Sequence, residues 1–320
     1  MPTTQAPLHT PFHARSTADE VLAGQALSGL HAVITGGHSG LGRETTRALS
    51  RAGARVTVLA RDIDAARDQL GALPDVSIVR LDLSDLDSVQ ASARHLLAQA
   101  QPIDVLIGNA GIMASPLFRT AQGWEGQFAT NHLGHYALVN RLWPALRKGA
   151  RVVMVSSAGH HASGMRWHDI HFTQGYDKWL AYGQSKTANA LFAVHLDHLG
   201  RRHGVRAFAV HPGKILTPLQ RHLAREEMRA AGWVDANGEL ADPTFKTVQQ
   251  GAATQVWAAT SPALQGRGGV YCEDGDIASL ETSEPPSWRG VRPHAVDPEQ
   301  AARLWTLSAQ LTGLDAFAPG

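Results

Sequence analysis

The chain has 320 residues, 43% of them hydrophobic, with 29 lysines and arginines against 28 aspartates and glutamates. That size admits one large α/β domain or two smaller ones, and a net charge of +1 gives no electrostatic reason to expect nucleic acid or an anionic membrane as partner. The single cysteine, Cys272, excludes an internal disulfide, so the fold does not depend on an oxidising compartment.

The first 28 residues lack the long apolar run of a secretory leader. No stretch reaches the ~18 consecutive apolar residues of a membrane span, so the expectation is a cytoplasmic protein. Residues 1–28 are too polar and proline-broken to start the fold and read as an N-terminal extension. Within them Ser16 or Thr17 can cap a short helix running to about Gly24.

From Leu30 onward, short β-branched runs at 31–35, 55–60, 76–80, 103–107, 151–155 and 205–210 predict buried strands. Helical spacing fills 41–52, 86–98, 123–146 and 179–199 between them. This alternation predicts a doubly wound parallel α/β sheet of about seven strands with helices on both faces, since parallel neighbours need a crossover. After Pro212 the pattern loosens. Residues 214–245 hold a helix at 218–231 and a polar turn at 235–238, and they look like an insertion over the sheet. A helix at 247–259, a last strand at 269–272 and a helix at 298–311 complete one domain over 29–320.

The first strand ends in Thr35-Gly-Gly-His-Ser-Gly-Leu-Gly42 and runs straight into a helix. A dinucleotide pyrophosphate needs backbone amides at a helix N-terminus with no side chains in the way, and Gly36, Gly40 and Gly42 meet that need. The loop residues placed against the cofactor are Thr35, Gly36, Ser39, Gly40, Leu41 and Gly42. The second strand ends Ala60-Arg61-Asp62. Ala60 cannot accept from a ribose 2′-hydroxyl, whereas Arg61 can clamp a 2′-phosphate, so NADP(H) is favoured over NAD(H). Against this, Arg61 can be a solvated loop arginine, and Asp62 keeps NAD open. Asp82, beside Leu83 at the end of the third strand, can accept from an adenine amino group. The fourth strand ends Gly108-Asn109-Ala110-Gly111, small enough for a cofactor to lie across the sheet.

Tyr182 and Lys186 lie four apart on one face of a predicted helix. A phenol titrates near ~10, and a neighbouring ammonium favours its phenolate. Ser156 and Ser157 end the fifth strand, where a hydroxyl can bond a substrate oxygen. Asn131 is a lone polar group in a largely apolar helix.

Taken in order, the glycine loop, Asn109-Ala-Gly111, Asn131, Ser157, the Tyr182/Lys186 pair and His211-Pro-Gly-Lys-Ile-Leu-Thr217 resemble the short-chain dehydrogenases/reductases, from about Leu30 to Thr217. Thr130-Asn-His-Leu-Gly-His135, Val155-Ser-Ser-Ala-Gly-His-His161 and Ala181 to Asn189 resemble the retinol-dehydrogenase-like branch. The resemblance implies a Rossmann-type fold and an oxidoreductase that moves hydride between a nicotinamide and an alcohol or carbonyl carbon. It implies Tyr182 as proton donor or acceptor. Lys186 would be its pKa-lowering partner and would bind the nicotinamide ribose. Ser157 would polarise the substrate oxygen, preferred over Ser156 for its spacing to Tyr182, and Asn131 would hold a water in a proton relay. It also places Pro212, Gly213 and Thr217 against the cofactor.

The expected partner is a small, apolar alcohol, aldehyde or ketone. Residues 214–245 and, between Ser157 and Tyr182, Met165 with the aromatics Trp167, Phe172, Tyr176 and Trp179 either line its pocket or belong to the core. A homo-oligomer through the two long helices is expected of the family, unless the C-terminal extension covers that face. The four close histidines His160, His161, His168 and His171 lack metal-ligand spacing, so no metal site is expected. The other functional class is a cofactor-sensing regulator that has lost catalysis. Such a protein is expected to lose the Tyr or Lys, and this chain has both. A lyase or epimerase on the same fold would carry different loops and a larger C-terminal domain.

Overall fold

The computed structural model describes residues 3–318. Met1 and Pro2 of the expected extension, and Pro319 and Gly320, lie outside the described residues. The apolar runs become β1 (His31–Thr35), β2 (Arg55–Ala60), β3 (Val76–Arg80), β4 (Ile103–Gly108), β5 (Leu146–Val155), β6 (Arg206–His211) and β7 (Val270–Glu273), all mutually parallel. A two-residue antiparallel strand, β8 (Asp276–Ile277), follows. The sheet therefore has eight strands rather than about seven, in the order β3-β2-β1-β4-β5-β6-β7-β8. The extra strand comes from Asp274-Gly275, whose positive φ values of 53° and 75° make a tight hairpin turn.

The helices are α1 (Ala18–Leu22), α2 (Gly40–Arg51), α3 (Ile63–Leu70), α4 (Leu86–Ala98), α5 (Gly126–Phe128), α6 (Gly134–Leu142), α7 (Lys178–Gly200), α8 (Arg225–Ala230), α9 (Val248–Thr260) and α10 (Pro298–Thr312). Two apolar cores sandwich the sheet. One joins it to α1, α2, α3 and α9 through residues such as Leu49 and Trp257. The other joins it to α4, α6, α7 and α10 through Tyr136, Phe192 and Trp305. Burial on both faces explains why the strands read as continuous apolar runs instead of alternating ones.

Two expected helices are broken. The one expected over 123–146 is α5, a π turn over Ala129–Leu133, α6 and a short 3-10 turn at Trp143–Ala145. Pro144 cannot continue the helix, and β5 begins at Leu146. The one expected over 218–231 is a 3-10 turn at Pro218–His222 followed by α8, because Leu223 extends to bury itself against Met113 and Tyr182.

Residues before α1 lie against the sheet edge. The Gln5 carboxamide donates to the carbonyls of Tyr271 and Ala278 and accepts from the Tyr271 amide at 2.9 Å, standing in for strand backbone. Asp276 accepts from the amides of Leu8 and Thr10. Such cover protects an edge that would otherwise offer unpaired backbone groups. At the other terminus, α10 packs on α7, with Trp305 stacked on Phe192 and Ser308 Oγ 2.8 Å from His132 Nε2. No helix among the described residues is long and apolar enough to cross a membrane. The parallel register brings the C-terminal ends of β1 to β6 to one edge of the sheet, where ligand crevices of open α/β sheets form.

Candidate active site

A cavity of about 680 Å³ opens along that edge, from the glycine loop to the 214–245 segment. The loop turns tightly enough that a Cβ on Gly42 would lie 2.3 Å from the Gly36 carbonyl oxygen. Ser39, at the N-cap of α2, makes no side-chain capping bond, so the first-turn amides of this 12-residue helix are open to an anion. Those free amides and the cavity fit a dinucleotide. Gly36, Ser39, Gly40, Leu41 and Gly42 line it, and so do Asp82, Leu83, Asn109, Ala110, Gly111, Pro212, Gly213 and Thr217. Thr35 does not. It is buried beneath the loop, where its Oγ1 accepts from the Ala110 amide at 3.0 Å and meets His135 Nε2 at 2.8 Å.

Arg61 and Asp62 follow β2 at the rim, both exposed. The Asp62 carboxylate is committed to the N-cap of α3, accepting from the amides of Asp64 and Ala65. Arg61 has no hydrogen-bond or ion-pair partner among the described residues. Asp82 Oδ1 accepts from the amide and hydroxyl of Ser84, which fixes the carboxylate at the cavity wall.

The catalytic candidates meet on the other side. The long helix α7 starts at an Asp177 cap and presents Tyr182 and Lys186, both at least 95% buried, toward the ends of β4 and β5. Burial pushes the Tyr182 phenol up to about 12, while its hydrogen bond with Ser157 pulls the other way. Lys186 is pushed down to about 8 by burial. Its Nζ donates to the Val155 carbonyl at 3.0 Å and lies 5.6 Å from the Tyr182 ring centre. Burial thus opposes the lowering expected from the sequence, and it is Ser157 rather than the Lys186 ammonium that pulls the phenol down here.

The two serines divide their work. Ser156 is buried and its hydroxyl donates to the Lys186 carbonyl at 2.7 Å. Ser157 is less buried, faces the Tyr182 ring across Gly159, and accepts from the Gly159 amide at 3.0 Å. Two histidines hold its turn: His160 Nδ1 lies 2.7 Å from the Ser157 carbonyl, and His211 Nδ1 accepts from the Ala158 amide.

Asn131 sits in the π turn, fully buried and outside the cavity lining. Its carboxamide accepts from the Ile112 amide and donates to the Ile112 carbonyl and Ser185 Oγ, each at 2.9 Å. The side chain thus has no free donor for the water expected there. His135 Nδ1 lies 2.9 Å from the Asn131 carbonyl oxygen. Gly111 permits the approach: a Cβ there would lie 3.0 Å from Asn131 Oδ1 and 3.5 Å from Lys186 Nζ.

The 214–245 segment and α7 close the cavity with Leu219, Trp179, Trp233 and Phe245. Trp233 meets Trp179 and Phe245 edge-on at 6.3 and 5.7 Å. Of the aromatics and methionine expected between Ser157 and Tyr182, only Trp179 lines the cavity. Phe172 is buried under Arg166, Met165 and Trp167 pack on α10 residues, and the Tyr176 hydroxyl is bonded to the Ser115 carbonyl. Sequence reasoning missed Trp288, which lines the cavity from a turn-rich segment with no periodicity, and His135, a polar residue among helical apolar ones. No group of three histidine, cysteine or acidic residues poised for a metal occurs among the described residues.

Comparison with known proteins agrees with this geometry. The family model for short chain dehydrogenases matches residues 30–228. A "Probable oxidoreductase" of Streptomyces antibioticus is 46% identical over 87% of the chain and 96% of its own length. Retinol dehydrogenase 12 of Bos taurus is 36% identical over 90% of the chain and 88% of its own length. The crystal structure of an uncharacterized protein from Mycobacterium Paratuberculosis superposes with a TM-score of 0.74 at 32% identity, covering 95% of this chain and all of that one.

Proposed function

We propose, from the premise that the chain belongs to the short-chain dehydrogenase/reductase family and its retinol-dehydrogenase-like branch, that this oxidoreductase prefers NADP(H) and acts on an apolar alcohol or carbonyl compound. The observation that carries the reading is the Tyr182–Ser157 pair, seated between an anion-ready glycine loop and an aromatic wall in one cavity. Residues 29–320 act as one domain, with 1–28 as an extension and 214–245 as the substrate loop.

A dinucleotide held by the loop residues supplies or takes up hydride at the substrate carbon. The protein's share is proton transfer and placement. With its pKa raised by burial, Tyr182 is protonated at neutral pH and ready to donate to a carbonyl oxygen as that oxygen gains charge. Ser157 donates to the same oxygen, its hydroxyl already oriented by the Gly159 amide. Lys186 would hold the nicotinamide ribose and, as a cation, favours the phenolate left after donation. Asn131 acts as a positioning residue. It ties the 112 loop to α7 through the Ile112 backbone and Ser185 Oγ. The commitment of Asp62 to α3 and the free Arg61 guanidinium support the NADP(H) preference.

Absorbance loss of NADPH, and separately of NADH, with a panel of aldehydes and ketones graded by polarity tests this. Faster turnover with NADPH and with the apolar members is expected. No turnover of any member despite tight NADPH binding would sink the substrate reading.

A further inference from the structure

A second guanidinium shares the cavity with Arg61. Arg221, in the 3-10 turn Pro218–His222 of the substrate loop, lines the same space. After burial, the positive charge of Arg61 is what lowers its pKa, so the two groups feel each other. Among the described residues neither is ion-paired. Arg221 spends one N–H on the Pro218 carbonyl at 3.1 Å, and Asp62 is held by the cap of α3. Two unpaired like charges facing one cavity, with Asp62 turned to its helix cap and Asp82 to Ser84, favour an anion between them.

The turn that carries Arg221 is placed and stiffened. A Cβ on Gly40 would lie 3.3 Å from Thr217 Cβ, so the loop lies directly over the phosphate-binding turn. Thr217 and Gln220 cap each other, and Gln220 Nε2 donates to the Ile215 carbonyl at 2.8 Å. From the glycine loop His38 adds a buried Nδ1 with no partner among the described residues. Leu219 and Leu223, on either side of Arg221, turn into the apolar cluster around Met113 and Tyr182.

We propose that Arg221 joins Arg61 in clamping the ribose 2′-phosphate of NADPH, so that the cofactor's phosphate anchors the loop that walls the substrate pocket. The clamp rests on the NADP(H) reading above. Arg61 reads the phosphate from the rigid sheet, and Arg221 reads it from the loop. A cofactor lacking the phosphate would leave that loop end untied.

Calorimetric binding of NADPH, NADH and 2′,5′-ADP to the wild type, Arg221→Ala and Arg221→Lys tests it without turnover. The wild type should bind NADPH more tightly than NADH. Arg221→Ala should weaken NADPH and 2′,5′-ADP about tenfold while changing NADH less than about twofold, with partial recovery in Arg221→Lys. A wild type that binds NADH as tightly as NADPH overturns the NADP(H) reading and the clamp with it. If the wild type favours NADPH but Arg221→Ala leaves it unchanged, or weakens both dinucleotides equally, the role of Arg221 alone is overturned.

Discussion

The two walls of the cavity are built on opposite principles. On the wall formed by β4, β5 and α7, Ser156 and Lys186 are at least 97% buried with Asn131 buried behind them, and each of the three has a hydrogen-bond partner within 3.0 Å. The opposite wall, residues 214–245, is largely exposed. It is tied to the body by the Lys178–Glu227 ion pair, by Arg15 donating to the Pro243 and Phe245 carbonyls, by a bridge between Ile215 and Lys246, and by Leu223 packed on Tyr182. Exposed ion pairs contribute little, so the outer part of this wall can shift at small cost. The contrast teaches a division of labour. Proton transfer needs groups fixed by a satisfied polar network, whereas an apolar substrate needs only a surface that can adapt to it.

Breaking the rigid wall should have the larger effect. Asn131→Ala removes the partners of the Ile112 amide and carbonyl and of Ser185. Stability should fall by about 3 kcal/mol, and turnover at least about 100-fold, since the displaced 112 loop borders the nicotinamide end. Chemical unfolding beside steady-state rates reads both. An unchanged unfolding midpoint would show that the network does not hold the wall.

Acid should loosen the same wall next. Burial depresses His132 and His211 to about 3 and His135 to about 4, so all three are neutral in the fold. Unfolded, they titrate near ~6.5. Below that pH the unfolded chain binds more protons, so stability present above about pH 6.5 is lost progressively toward pH 3–4. The loss is about 1.4 kcal/mol per histidine per pH unit once well below 6.5. The melting temperature should drop steadily from pH 7 to pH 5. The substrate loop has one histidine, the exposed His222, and should contribute little. A flat melting temperature across that range would contradict the burial of these rings.

The smallest effect belongs to the adaptable wall. Trp233→Ala should raise KM for a bulky apolar carbonyl about tenfold, close to 1.4 kcal/mol of lost contact, with kcat within about twofold and the melting temperature nearly unchanged. A fall in kcat with KM unchanged would place Trp233 in the chemistry instead.

The same contrast decided what was legible in the sequence. The rigid wall announces itself, because buried parallel strands are continuous apolar runs and the chemistry needs particular residue types at strand ends. Gly36, Ser39 to Gly42, Asn109 to Gly111, Ser157, Tyr182 and Lys186 could therefore be assigned from the sequence to the sheet edge where they line the cavity, whereas Thr35 lies beneath it. Helix α3 was missed because it buries only Ala66 and Leu70, too few for a visible period. The polar start of β5, Arg147-Lys148-Gly149, hid five residues of strand, 146–150. On the adaptable wall, tertiary contacts overrule local pattern, as where Leu223 breaks the helix expected over 218–231 to reach Tyr182. Trp288 enters the cavity from a distant segment, and no local spacing could announce that.

The central claim is that Tyr182 transfers the proton within this cavity. Its most direct test sets wild type beside Tyr182→Phe, measuring NADPH consumption with the best carbonyl substrate and NADPH affinity in the same preparations. Turnover should fall by at least about 100-fold, with affinity changed by less than about twofold. A Tyr182→Phe variant that binds NADPH normally and turns over at the wild-type rate would contradict it.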